Sequence, residues 1–322
     1  EDLEPITNEK VAENGRLIPD YKLPLEALRK FNGSIDLEIG DLQRGELQFR
    51  NVKLEARLRD GYLDVSNLAF DAPAGHLDAR VSIQETGGSA DVSIAIVARD
   101  FSLGLMSQNK DLEMTSDVDI DIESKGDNLR ALAANANGIA FAEAHGGQLA
   151  DLEVVHLFYG DMFSQVLGTI SPLLVSETGA QLKCGIFPYE ISGGQLTGAP
   201  FTFIGTDKVH IRSATRVDLS TEELDIDVDT TPSKGLKLSA GQLLNPRIKV
   251  VGTLAEPRVA VDAEGTIISG GAAVATGGLT IIAKLGLERL LGSRDPCAEI
   301  EAQAREALGD RFPELSTTTT EQ

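Results

Sequence analysis

The sequence predicts a mainly β chain built as an antiparallel meander, and three observations carry that expectation. Apolar and polar residues alternate with period two over most of the chain, the mark of strands with one apolar and one polar face. Glycine, aspartate, asparagine and proline recur between the alternating runs as turns, and glycine alone accounts for 32 of 322 residues. Hydrophobic residues make up 42% and charged residues 25%, a composition that can fill a core rather than a disordered tail. A chain of this length makes about two ordinary domains or one elongated one.

Taken in order, Ile35, Leu37 and Ile39 alternate with Asp36 and Glu38. Leu54, Ala56 and Leu58 alternate with Glu55 and Arg57, and Arg59-Asp60-Gly61 then supplies a turn. Runs at 62–70 and 76–83 follow, separated by Asp71-Ala72-Pro73-Ala74-Gly75, and Val92, Ile94 and Ile96 continue the series. In Asp117 to Glu123 every other residue is acidic, with Val118, Ile120 and Ile122 between. The second half repeats the theme over 182–190, 195–197, 201–203, 209–217, 224–228, 247–251 and 258–261, with Leu224, Ile226 and Val228 alternating with aspartates. Helical periodicity predicts a short helix over 128–136 ended by Gly138, and a helix over 152–174 with an apolar stripe of Val155, Phe158, Met162, Val166 and Ile170. A weaker helix over 272–291 and a polar helix over 298–308 complete the set, before a threonine-rich tail at 317–322. The expected organisation is a first β-meander over 1–125, a helical insertion over 126–176, a second β-meander over 177–264, and C-terminal helices and tail over 265–322, all in one continuous domain.

Charge and composition narrow the function classes. With 50 acidic against 29 basic residues the net charge is −21, and a chain without a basic patch repels phosphate backbones, so no nucleic-acid partner is expected. Four histidines without shared spacing and two distant cysteines do not build a zinc site, and no metal is expected. Asp117, Asp119 and Asp121 share the opening spacing of a helix-loop-helix calcium loop, but Ile122 stands where that loop needs glycine, so they read as a solvated strand face. Neither a Gly-x-Ser-x-Gly elbow, nor a phosphate-cradling Gly-Lys-Ser/Thr loop, nor a His-Glu-x-x-His helix is present; no enzymatic activity and no cofactor are expected. Cys184 and Cys297 either bond, closing a loop worth about 4–5 kcal/mol in the chain-entropy model, or stay two buried thiols. The window Gly265–Ala283 is uncharged for 19 residues but holds five glycines, too many polar and small residues for a spanning helix. The opening residues, Glu1-Asp2-Leu3-Glu4-Pro5, show neither a start methionine nor a signal sequence, and the chain is expected to be a piece of a longer protein.

The amphipathic strands admit two architectures: a sandwich whose apolar faces cover each other, or a single curled sheet whose apolar face lines a groove. Here the order of several short motifs bears on the choice. Arg16-Leu17-Ile18-Pro19-Asp20 followed by Leu23-Pro24-Leu25 and Leu28 resembles the segment that opens the C-terminal region of AsmA-family proteins. Asp60-Gly61-Tyr62-Leu63 with Ala74-Gly75-His76-Leu77 is similar to that family's glycine rhythm, departing from it at His76, where a second glycine is usual. Gly126 to Leu129 and Leu132 to Gly138, Lys183-Cys184 with Ile191-Ser192-Gly193-Gly194, Leu219 with Leu224 and Ile226, Val251-Gly252-Thr253-Leu254 with Pro257, and Asp295-Pro296-Cys297 continue the likeness over most of residues 16–300.

The resemblance implies an elongated, curled antiparallel sheet, a groove or half-barrel, with a few helices near 152–174 and 272–291. It further implies a periplasmic protein of the bacterial envelope, held in the inner membrane by a helix preceding this segment. With larger relatives such as TamB, that family is viewed as carrying phospholipid along β-rich grooves toward the outer membrane. The expected partner is thus phospholipid or another lipid, with the inner membrane and components of the outer membrane beside it. The family offers no catalytic or headgroup residues to carry over. Groove candidates therefore come from alternation alone: Ile35, Leu37, Ile39, Leu54, Leu58, Leu63, Val65, Val118, Ile120, Ile122, Leu224, Ile226 and Val228. The rival expectation from another class is an assembly factor that pairs exposed sheet edges with outer-membrane proteins.

Overall fold

The computed structural model describes residues 15–44, 47–102, 114–147, 181–233, 247–262 and 295–313. The helices expected over 152–174 and 272–291 and the tail at 317–322 lie outside the described residues. Within them, 14 strands form one antiparallel sheet that is not closed into a barrel. The strands are β1 (Gly33–Arg44), β2 (Leu47–Arg59), β3 (Tyr62–Asp71), β4 (His76–Thr86), β5 (Ser89–Ser102), β6 (Thr115–Gly126), β7 (Asn137–His145), β8 (Leu182–Ser192), β9 (Gln195–Gly198), β10 (Thr202–Thr206), β11 (Val209–Asp218), β12 (Glu223–Pro232), β13 (Arg247–Thr253) and β14 (Pro257–Asp262). Each strand pairs with its neighbour in sequence, except that β9 is a short return paired with β8 and β11 while β10 fills the same gap farther along.

Turn chemistry sets the hairpins. Asp60 and Gly61 both have positive φ, 50° and 82°, the pair that a tight right-twisting hairpin requires. Register shifts interrupt β2–β3 at Arg50/Lys53 and Glu55/Ala56, β3–β4 at Val65/Leu68 and β5–β6 at Ala98/Phe101. Such bulges bend a strand and increase its twist, so they coil the first half of the sheet. They also rescue the pattern: Val65 and Leu68 are three apart, and the shift returns both to the same face.

Three helices are described: α1 (Leu25–Lys30), α2 (Leu129–Ala134) and α3 (Pro296–Leu308). α2 is shorter than expected and ends on Asn135, whose backbone N–H satisfies the last carbonyls; Gly138 lies inside β7, not at a helix end. The φ of Gly138 is 142° and a Cβ there would sit 1.9 Å from the carbonyl oxygen of Asp121, so close approach of β6 explains this glycine. α3 is not a polar helix lying free. Ile300, Ala304 and Leu308 recur at i, i+4 and i+8 and are buried against Ile139, Phe141, Ile186 and Phe203 of the sheet. Asp295 caps its first turn, and a disulfide between Cys184 on β8 and Cys297 in that turn fixes it to the sheet.

Residues 16–30 form a strap along the end of the sheet where the β2–β3, β4–β5, β6–β7, β8–β9 and β11–β12 turns lie. The carboxylate of Glu222, in the β11–β12 turn, accepts the backbone N–H groups of Leu17 at 2.6 Å and Ile18 at 3.0 Å. Arg130 donates to the carbonyl of Ile18, Leu129 N–H to that of Tyr21, and Leu23 N–H to that of Asp127. α1 then reaches Glu85 at the β4–β5 turn through Arg29, which holds both carboxylate oxygens.

Candidate functional site

Residues directly opposite in an antiparallel ladder project to the same face, so the register identifies each face without ambiguity. One row runs Leu37, Leu54, Leu68, Ala79, Ile96, Ile120, Ala140, Tyr189 from β1 to β8. Beside it a second row runs Ile35, Ala56, Val65, Val81, Ile94, Ile122, Gly138, Ile191, Leu196, Val217, Leu224, Gly252 from β1 to β13. Leu58, Leu63, Ile83 and Val92 add a shorter third row. Ile39, Val118, Ile226 and Val228 fall on the same face by their own pairings with Val52, Ala142, Thr215 and Ser213. The structure thus brings every alternation candidate onto one continuous apolar face.

The face is not uniform. On β1, Ile35 is 57% and Leu37 41% exposed, and the residues of the rows on β2 to β6 are half-buried, Ala79 apart. On β12, Leu224 and Val228 are buried in a closed cluster with Val209, Ile211, Val217, Ile248 and Val250. The same alternation therefore serves an open surface at one end of the sheet and a core at the other. The groove candidates omit Leu68, Val81, Ile83, Ile94, Ile96, Tyr189 and Ile191, which complete the rows. Their signal was the same alternation, broken by a bulge only between Val65 and Leu68 on β3. Phe49 and Phe70 stack edge to face at 5.4 Å where β2 kinks at Asn51, whose φ is 52°.

The opposite face is charged, but it is not simply solvated. Asp119 is only 1% exposed, because Arg99 lies over it with a 2.6 Å bond, and this corrects the expectation of a solvated acidic strand. Arg212 likewise pairs with Asp229, and Lys249 with Asp225. Burial pushes the Asp121 carboxyl up from its ordinary value, with Glu123 adding repulsion. Burial also raises Glu143, and Glu301 of α3 raises it further. His76 bridges Asp71 at 2.6 Å and Asp78 at 2.9 Å; Asp71 is held below the usual carboxylate range, first by the side-chain bond from Asn51. Where α3 crosses, Arg305 stacks over Phe141 and Phe312, so charge and apolar packing share that face.

Among the described residues no helix is long and apolar enough to cross a membrane, and no cluster of three His, Cys, Asp or Glu is placed to hold a metal ion. No curated protein and no solved structure matches the chain. The model of the AsmA family, a family associated with envelope proteins, matches residues 6–162, the stretch that holds the strap, the open apolar face of β1 to β6 and β7, and that match, over just under half of the chain, supports membership of the AsmA family.

Proposed function

We propose that this chain is a lipid-holding module, without catalysis of its own, whose apolar face receives acyl chains. The observation that carries the reading is the pair of unbroken apolar rows left half-exposed on β1 to β6 of an open sheet. Six strands present a surface about 24 Å across, wide enough for a chain to lie over several of them. Each methylene transferred there from water contributes about 0.8 kcal/mol, so a dozen carbons supply roughly 10 kcal/mol before entropic and headgroup costs. The charged opposite face, in a chain of net charge −21, keeps such a protein dispersed while its other side is apolar. The family match supports an envelope setting, and movement of phospholipid between inner and outer membrane through the periplasm is the transport that fits this surface.

The test is lipid extraction and native mass spectrometry of the purified protein beside Ile94→Asp and Ile120→Asp, which place a carboxylate in the middle of both rows. Phospholipid present in the parent and lost from folded variants is the expected result. A lipid-free parent, under conditions where a known carrier keeps its ligand, would overturn the reading.

A further inference from the structure

β1 ends the sheet: among the described residues it pairs with β2 alone. It is 12 residues long and contains no proline, whereas β14 at the other end has six residues and begins with Pro257. An exposed edge of that length offers a row of unmet backbone donors and acceptors, the feature that proteins ordinarily shorten, twist away or cover. Every described side chain of β1 except Ile39 is exposed, Ile35 and Leu37 included. Phe31, which enters β1 two residues before Gly33 in extended conformation, is also exposed.

We infer that the free edge of β1 is an interaction surface for an extended segment of another polypeptide that alternates apolar with basic residues and adds antiparallel as a further strand. The chemistry of the occupant follows from the two faces of β1. Its apolar side, Ile35, Leu37 and Ile39, is the rim of the apolar face and asks for aliphatic neighbours. Its other side presents Asp36 and Glu38, and cross-strand partners of opposite charge stabilise a ladder while like charges weaken it. The strand already seated on the inner edge has that character in part: β2 carries Arg50, Lys53, Arg57 and Arg59 between Val52, Leu54, Ala56 and Leu58, with Lys53 opposite Glu38, while its one acidic residue, Glu55, stands opposite Asp36. A second copy of this chain fits less well, because it brings two acidic pairs and no cation to offset them as Lys53 does on β2. Antiparallel pairing of two β1 edges with Leu37 opposite Leu37 sets Asp36 against Glu38 twice, and a shift that preserves the apolar match sets Asp36 against Asp36. The added strand extends the apolar face by one strand whether or not that face holds lipid.

The probe is a blocked nonapeptide reproducing residues 51–59 with Glu55→Lys, beside a counterpart in which its cations are replaced by glutamate. Amide hydrogen exchange of the protein is followed by NMR during each titration. The expected result is saturable protection within β1 by the basic peptide, about tenfold weaker with the acidic one. In the double variant Asp36→Lys, Glu38→Lys, whose changed side chains are exposed, that preference reverses. No added protection in β1, or protection indifferent to peptide charge and to the double variant, overturns the inference. Protection of β1 that rises with protein concentration and no peptide overturns the choice of occupant in favour of self-association.

Discussion

Removing the Glu222 carboxylate should release the strap, and the order of the resulting costs is diagnostic. The side chain is 1% exposed and accepts two backbone N–H groups from residues more than 200 positions earlier. Hydrogen bonds to a charged acceptor contribute about 1.5–3 kcal/mol each. Leu17 is half exposed, so water recovers part of the loss, and Glu222→Ala should cost about 3 kcal/mol. The φ of Glu222 is 64°, a left-handed conformation that a side chain resists and glycine does not. Glu222→Gly should therefore cost roughly 1 kcal/mol less than the alanine variant, the reverse of the usual ranking of the two residues. Urea unfolding gives the stabilities, and amide exchange over residues 17–30 shows whether the strap has lifted. An alanine variant as stable as the parent, or a glycine variant less stable than the alanine one, would refute the latch.

Other outcomes follow from the same geometry. Replacing both Cys184 and Cys297 by serine opens a loop of 113 residues and should lower stability by about 5 kcal/mol in the chain-entropy model, with α3 detaching first in hydrogen exchange. A reduced parent matching the double variant would show that the bond, not the side chains, is responsible. Glu143 has its pKa raised by burial, so its protonated form is the one the fold favours; that stability is complete below the ordinary value of 4.5 and is lost as pH rises through the elevated one. Glu143→Gln should accordingly raise the melting temperature at pH 7 and converge with the parent at pH 4, and a lower melting temperature at pH 7 would contradict the assigned cause. Gly138→Ala drives a methyl into the Asp121 carbonyl and should cost more than about 3 kcal/mol, measured by denaturant midpoint; a mild effect would mean that β6 and β7 separate easily.

Most strands were legible because alternation is a local property of the chain. Asp117 to Glu123 and Leu224 to Asp229 could be placed as strands, and assigned a polar side, from neighbouring residues alone. What each side meets was not legible, since it depends on residues far away. Arg99 covers Asp119 from the neighbouring strand, a pairing fixed by register and by the bulge at Ala98/Phe101, and no periodicity announces it. α1 carried its own signals in Pro24, Glu26, Arg29 and Lys30, but six residues are too few for a periodic stripe to stand out. The motif Arg16 to Asp20, noticed as a family likeness, turns out to be the part of the strap that Glu222 holds. Its partner lies on the opposite half of the chain, where the sequence offers only one glutamate among many.

The contrast between β1 and β12 shows why the apolar side of each strand could be read from the sequence but its cover could not. Ile35, Leu37 and Ile39 alternate with Asp36 and Glu38 much as Leu224, Ile226 and Val228 alternate with aspartates, and both triplets lie on the same face. One triplet stays at an open edge; in the other, Leu224 and Val228 close into a cluster where Val250 is 1% exposed. Packing at the β12 end does what packing does in any core, and its aliphatics need no ligand to explain them. At the β1 end the same residues keep a contact with water that folding ordinarily removes, and a long run of such residues asks for an occupant. The alternation thus predicts which side is apolar, whereas the difference in cover between the two ends is what supports the proposed binding surface, and it favours β1 to β6 over the whole sheet.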